Sequence, residues 1–130
     1  MIAPNRGLIL FAHGARDARW SEPFERLRDL VAERVHDMPV ALAYLEMMQP
    51  DLAAAAEALV ARGCTALMIV PVFLGEGAHV RRDLPERIAT LRMRFPRVAI
   101  ACTAAAGEDD AVLAALADYC VRSLGGLGSA

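Results

Sequence analysis

His13, Glu46 and His79 fall at equal intervals, 46 − 13 = 33 and 79 − 46 = 33, and each closely follows an apolar stretch with strand character. A strand, a crossover helix and their loops take about 30 residues, so a residue recurring at that interval returns to the same edge of a parallel sheet. The three side chains are therefore expected to converge outside the carboxyl ends of neighbouring strands, where open α/β sheets bind ligands. Two imidazoles and a carboxylate are a ligand set that suits a divalent transition metal.

The elements that must position them can be read in order. Residues 8–12 form a short apolar strand ended by His13 and Gly14. Ser21 is a helix N-cap with Pro23 in the first turn, and Phe24, Leu27, Leu30, Val31 and Val35 repeat at the helical period until Pro39. A second strand, 40–45, leads to a helix with Pro50 in its first turn that runs to Arg62, with Gly63 as C-cap. Residues 65–73 are the most apolar strand and are expected in the middle of the sheet with both faces covered. Asp83 and Glu86 make a capping-box-like start to a third helix, with Pro85 in its first turn. A fourth strand, 98–102, and a last helix, 109–124, with Leu113, Leu116, Ala117 and Cys120 inward, complete a βαβαβαβα pattern.

This alternation predicts an α/β fold: a small doubly wound, parallel four-stranded sheet with helices on both faces and right-handed crossovers. A single domain over 1–124 and a flexible tail over 125–130 are expected. Four strands amount to half of a larger doubly wound enzyme, so a cleft for a sizeable ligand would form between two copies, and a homodimer is predicted. Met47, Met48, Phe73 and Leu74, expected exposed at the strand ends, would give that cleft an apolar wall.

Composition narrows the function classes. The 130 residues carry a net charge of −2, without the basic footprint of a nucleic-acid binder. Mean hydropathy is +0.34, yet apolar runs such as 66–74 contain proline and stop near ten residues, short of the ~20 that a membrane span needs. The first residues lack a secretory pattern, so the mature chain is expected to begin near Met1 in the cytoplasm. Three cysteines with no C-x-x-C pairing argue against a disulfide framework or zinc ribbon and read as small hydrophobes under the helices. All 14 basic residues are arginine, which excludes a lysine Schiff base.

Three segments, FAHGARDARWSEPFERL, AYLEMMQPDL and VPVFLGEGAHVRRDLP, together resemble the short form of the class II tetrapyrrole chelatases, the sirohydrochlorin cobaltochelatase and ferrochelatase family. The resemblance runs from Gly7 to about Leu124. Its most specific part is the third segment, where an apolar strand with proline enters F-L-x-x-G-x-H-V and then D-L-P. Where the family shows H-G-S-R, this chain has Ala15 in the serine's place, leaving His13 and Arg16 matched. The resemblance implies a chelatase-like lobe per chain, pairing as a homodimer. It implies His13 and His79 as the residues that bind the metal and assist its insertion, with Glu46 in the same site. The substrates implied are sirohydrochlorin and a cobalt, iron or nickel ion, with no organic cofactor.

Those residue types fit that reaction. Metal insertion sheds two pyrrole N–H protons, and imidazole, with an ordinary pKa of about 6.5, serves as both proton acceptor and borderline ligand. His13 and His79 are assigned jointly, and Glu46 to charge balance or to orienting a histidine. Arg16, Arg19, Arg81 and Arg82 flank the two histidines in sequence and are candidate clamps for the substrate's carboxylates.

Blander roles fit other residues. His36 lies at the polar end of the first helix, where a cation favours the dipole. Met47 and Met48 read as packing and Glu76 as a loop charge. A histidine phosphatase would place an arginine before its histidine, where this chain has Ala12, and no G-x-S-x-G elbow surrounds Ser21, Ser123 or Ser129. The remaining alternative is a non-catalytic metal or tetrapyrrole binder of the same fold.

Overall fold

The computed structural model describes residues 5–128. Strands and helices alternate in the expected order: β1 Arg6–Ala12, α1 Glu22–Arg34, β2 Val40–Tyr44, α2 Leu52–Ala61, β3 Ala66–Pro71, α3 Ala78–Arg94, β4 Ala99–Cys102 and α4 Asp110–Ser123. All strands pair in parallel, in the order β2-β1-β3-β4. The chain steps from β1 out to β2, then back past β1 to β3 and on to β4. Right-handed crossovers therefore put α1 on one face of the sheet and α2 and α3 on the other.

Packing follows that rule. Ile9, Phe11, Ala43, Leu67, Ile69 and Ile100 point to the face that meets Leu52, Ala56 and Leu59 of α2 and Val80, Leu84, Ile88 and Leu91 of α3. Their neighbours one residue along, Leu10, Ala12, Leu42 and Tyr44, meet Trp20 and, on α1, Phe24 and Leu27. Ile9, Phe11 and Ile69 are among the largest fully buried side chains, each contributing about 1.5–3 kcal/mol by leaving water. Arg94 bonds Glu57 at 2.9 Å across α3 and α2, and Arg92 donates to the Ile100 carbonyl at 3.0 Å. Asp51 caps α2 by accepting from the Ala54 amide at 2.8 Å. One polar cluster lies under α1. Buried Ser21 shares its proton between the Ala18 carbonyl and Glu25, and burial raises the neighbouring Tyr44 phenol above its ordinary pKa, with Ser21 partly offsetting the rise.

Several expectations need correction. Pro85 is not a first-turn residue: α3 starts at Ala78 with Gly77 as N-cap, and Pro85 sits inside the helix. The apolar series Val80, Leu84, Ile88 and Leu91 buries one continuous face, which outweighs the hydrogen bond that proline removes. Leu30 is exposed rather than part of the inner face of α1. β3 is an interior strand as expected, but its second face is covered only in part: Val70 packs against the cluster under α1, while Met68 is 40% exposed. The reason is α4, whose expected inner residues Leu113, Leu116, Ala117 and Cys120 are all exposed because the helix does not fold back onto the sheet. Cys120 is thus no buried hydrophobe, whereas Cys64 is.

Leu124–Leu127 make a 3-10 turn where the tail was expected to begin. Residues 129–130 of that tail, and the expected start near Met1, lie outside the described residues. No helix among the described residues is long and apolar enough to cross a membrane.

Candidate functional site

β1 and β3 are neighbours whose outgoing crossovers run in opposite directions, so the crevice between their carboxyl ends is the switch point where sheets of this type bind ligands. His13 stands there, directly after β1. Pairing continues past the strand ends: the Leu45 amide donates to the Ala12 carbonyl at 2.9 Å, the Glu46 amide to the His13 carbonyl at 3.1 Å, and the Val72 amide to the Phe11 carbonyl at 2.8 Å. Those bonds bring the backbones of His13 and Glu46 together, as the 33-residue interval predicts.

Gly14 makes the close approach feasible. Its φ is +93°, and a Cβ there would lie 1.9 Å from the Glu46 carbonyl oxygen, so no larger residue fits. On the other side of His13 is Phe73. The two rings lie 5.0 Å apart, centroid to centroid, and Phe73 rests in turn on Phe11 at 6.0 Å. Phe73 is therefore a buried support rather than part of the exposed wall; Met47 and Leu74 are the apolar side chains that face outward.

His79 is also on the carboxyl edge, following β3, but on the first turn of α3 rather than in a loop. It is exposed, and its Nε2 lies 3.1 Å from Asp83 Oδ2, one helical turn along. Among the described residues no three His, Cys, Asp or Glu side chains form a group that could hold a metal ion. Within one chain, then, the edge brings the backbones of His13 and Glu46 together, the three expected ligands form no metal-holding group among the described residues, and His79 pairs with Asp83.

The arginines divide. Arg16, Arg81 and Arg82 are exposed. Arg19 is engaged by Asp17, with Nη2 to Oδ2 at 3.2 Å and its amide to Oδ1 at 2.9 Å, and the Arg19 side chain and amide hold the Asp17 carboxyl below its usual pKa. Further along the edge, burial raises the Cys102 thiol, with the charge of Glu76 adding to the effect.

Two residues of this edge have roles that the sequence does not announce. Asp83 reads in the sequence as a helix cap, although its spacing of four from His79 is the signature of a helical pair once α3 is extended. Phe73 reads in the sequence as exposed, and no local signal shows that it packs against a histidine that follows another strand.

Comparison with known proteins places this arrangement. The CbiX family model matches residues 7–122. Sirohydrochlorin cobaltochelatase of Methanothermobacter thermautotrophicus is 32% identical over 82 residues, 63% of this chain and 57% of that protein. Sirohydrochlorin ferrochelatase of Bacillus subtilis is 29% identical over 113 residues, 85% of this chain and 42% of that protein. The chain thus spans about half the length of these curated relatives. The crystal structure of a CbiX protein from Marinobacter aquaeolei VT8 superposes with a TM-score of 0.81 at 32% identity, covering 92% of this chain and 97% of that one. The sirohydrochlorin chelatase SirB from Bacillus subtilis subspecies spizizenii, in complex with cobalt, superposes at 0.76 with 25% identity, covering 88% of this chain and 49% of that one. With its match over 7–122 and its chelatase-like α/β lobe, the chain belongs to the CbiX family.

Proposed function

We propose that the chain is a chelatase that inserts a divalent metal ion, cobalt first and iron second, into sirohydrochlorin in cobalamin or siroheme biosynthesis. Family membership supports the reading. The single geometric observation that carries it is His13 at the switch point, with its imidazole against Phe73 and its backbone carbonyl bonded to the Glu46 amide.

Insertion replaces two pyrrole N–H bonds with metal–nitrogen bonds and releases two protons, so it needs bases beside a metal perch that lets go. In this proposal His13 and His79 share both tasks. Asp83 orients His79, and Glu46 balances the metal's charge. Arg16, Arg81 and Arg82 bind substrate carboxylates, and Met47 and Leu74 face the flat ring. Arg19 has the weaker claim, since its guanidinium already serves Asp17. The metal is a substrate, and no organic cofactor enters the scheme. The proposed assembly is a homodimer whose two carboxyl edges enclose the macrocycle. The proposed compartment is the cytoplasm, consistent with three free cysteines.

The test counts turnovers. Protein is incubated with excess sirohydrochlorin and cobalt ions, and the visible spectrum is followed against a protein-free control. Product well beyond one equivalent per chain is expected; a shift that stops at one equivalent would identify a carrier instead.

A further inference from the structure

Phe73 rests on Phe11 through its ring, but its backbone is held from the fourth strand. After β4 the chain lays residues 103–107 against the segment that follows β3. The Thr103 amide donates to the Ile69 carbonyl at 3.0 Å, continuing the β3–β4 pairing, and the Gly107 amide donates to the Phe73 carbonyl at 2.8 Å. Between those two bonds Ala105 is 2% exposed and belongs to the same core cluster as Ile69 and Phe73. The 3-10 turn Ala106–Glu108 closes with the Glu108 amide on the Ala105 carbonyl at 2.9 Å. A stretch with a bond at each end and a buried side chain between them is a strut rather than a loose connection.

The approach of the two segments needs a glycine. A Cβ on Gly107 would lie 1.7 Å from the Leu74 carbonyl oxygen and 2.4 Å from its carbon, and backbone atoms cannot step aside as the end of a side chain can. Gly75 and Gly77, in the loop that leads to His79, carry no such constraint: nothing lies within 4 Å of a Cβ on either. The steric demand falls instead on a residue 107 − 73 = 34 positions beyond the phenylalanine that it holds, one βα unit later on the same edge.

We infer that Gly107 is a positioning residue for His13. By fixing the Phe73 backbone it holds the ring against which the imidazole lies, 5.0 Å between centroids, and the same close contact fixes Leu74. The relay has two steps, amide to carbonyl and then ring to ring. The segment after β4 thus acts on a site whose histidines follow β1 and β3. This role rests on the proposed reading of His13 as a metal-handling base. A methyl group forced between the segments shifts the support of the imidazole by on the order of 1 Å, and a misplacement of that size costs roughly 10²-fold in rate.

The test compares Gly107→Ala with Gly125→Ala in the full chain, the second adding its methyl group in open space. Two readouts are taken: the NMR signals of the His13 imidazole, assigned by their loss in His13→Ala, and the kinetics of cobalt insertion into sirohydrochlorin. In Gly107→Ala the His13 signals, which lie in the ring current of Phe73, should move while those of His36 and His79 stay, and kcat should fall about 10–100-fold with KM for the macrocycle little changed. Gly125→Ala should match the parent in both. If Gly107→Ala does not fold, Ala105→Gly, which loosens the strut without adding an atom, decides by the same two readouts in the same direction. His13 signals that stay in place in a folded variant overturn the inference whatever the rate, and moved signals with a parental kcat overturn it too. A parent chain without turnover overturns the proposed function, and the signals alone then decide whether Gly107 holds His13.

Discussion

The ring of His13 lies against the ring of Phe73, 5.0 Å between centroids, although the two residues leave different strands and are 60 positions apart, 73 − 13 = 60. Phe73 is buried between that imidazole and Phe11, so the orientation of the histidine depends on core packing rather than on a loop.

Phe73→Leu should therefore separate stability from chemistry. Replacing a buried ring by a smaller apolar side chain costs about 1–3 kcal/mol, and the imidazole loses its flat support. Urea unfolding should register that cost, while the insertion rate of the folded fraction falls by about tenfold or more. An unchanged rate would mean that Phe73 does not position His13.

Gly14→Ala places a methyl group against the Glu46 carbonyl at a φ of +93°, so the turn after β1 and the segment after β2 must part. The strain of the left-handed backbone alone costs about 1 kcal/mol, and the clash adds to it. The urea midpoint should drop and insertion should be lost together. A variant as stable as the parent would contradict the described geometry.

The lobe's topology and the common edge of His13, Glu46 and His79 are legible in the sequence because a βα unit has a nearly fixed length, which converts an interval into a position. Three features are not. Pro85 resembles a helix start, yet the buried series from Val80 to Leu91 extends α3 upstream and moves His79 from a loop onto a helix. The apolar stripe of α4 reads as buried because periodicity reports that a face is apolar, not which surface receives it. Arg19 reads as a free cation although Asp17, two residues earlier, already binds it, a choice that the local turn makes.

Asp83→Asn keeps the shape of the partner of His79 and removes its charge. The pair is partly exposed, so stability should change by less than about 1 kcal/mol. Residues that orient a metal-handling histidine matter more to activity, and kcat should fall about 10–100-fold with KM for the macrocycle little changed. A kcat equal to that of the parent would remove Asp83 from the site.

Tyr44 links pH to folding. Burial, partly offset by Ser21, raises its pKa above the ordinary 10.0, so the native state keeps a proton that the unfolded chain loses. Its contribution is complete below about pH 10 and declines as pH climbs through the native value. Tyr44→Phe removes the titrating phenol and should flatten the decline above pH 10, read by urea unfolding across that range. A decline as steep as the parent's would assign the alkaline loss to other groups.

The most direct test of the account is the rate of cobalt insertion by His13→Ala and His79→Ala, each first shown by circular dichroism to be folded and by fluorescence to bind the macrocycle. Loss of a residue that accepts a proton or holds the metal predicts a fall in kcat of roughly 10²–10⁴-fold for His13→Ala, with His79→Ala also well below the parent. Full rates in both variants, with the macrocycle still bound, would contradict it.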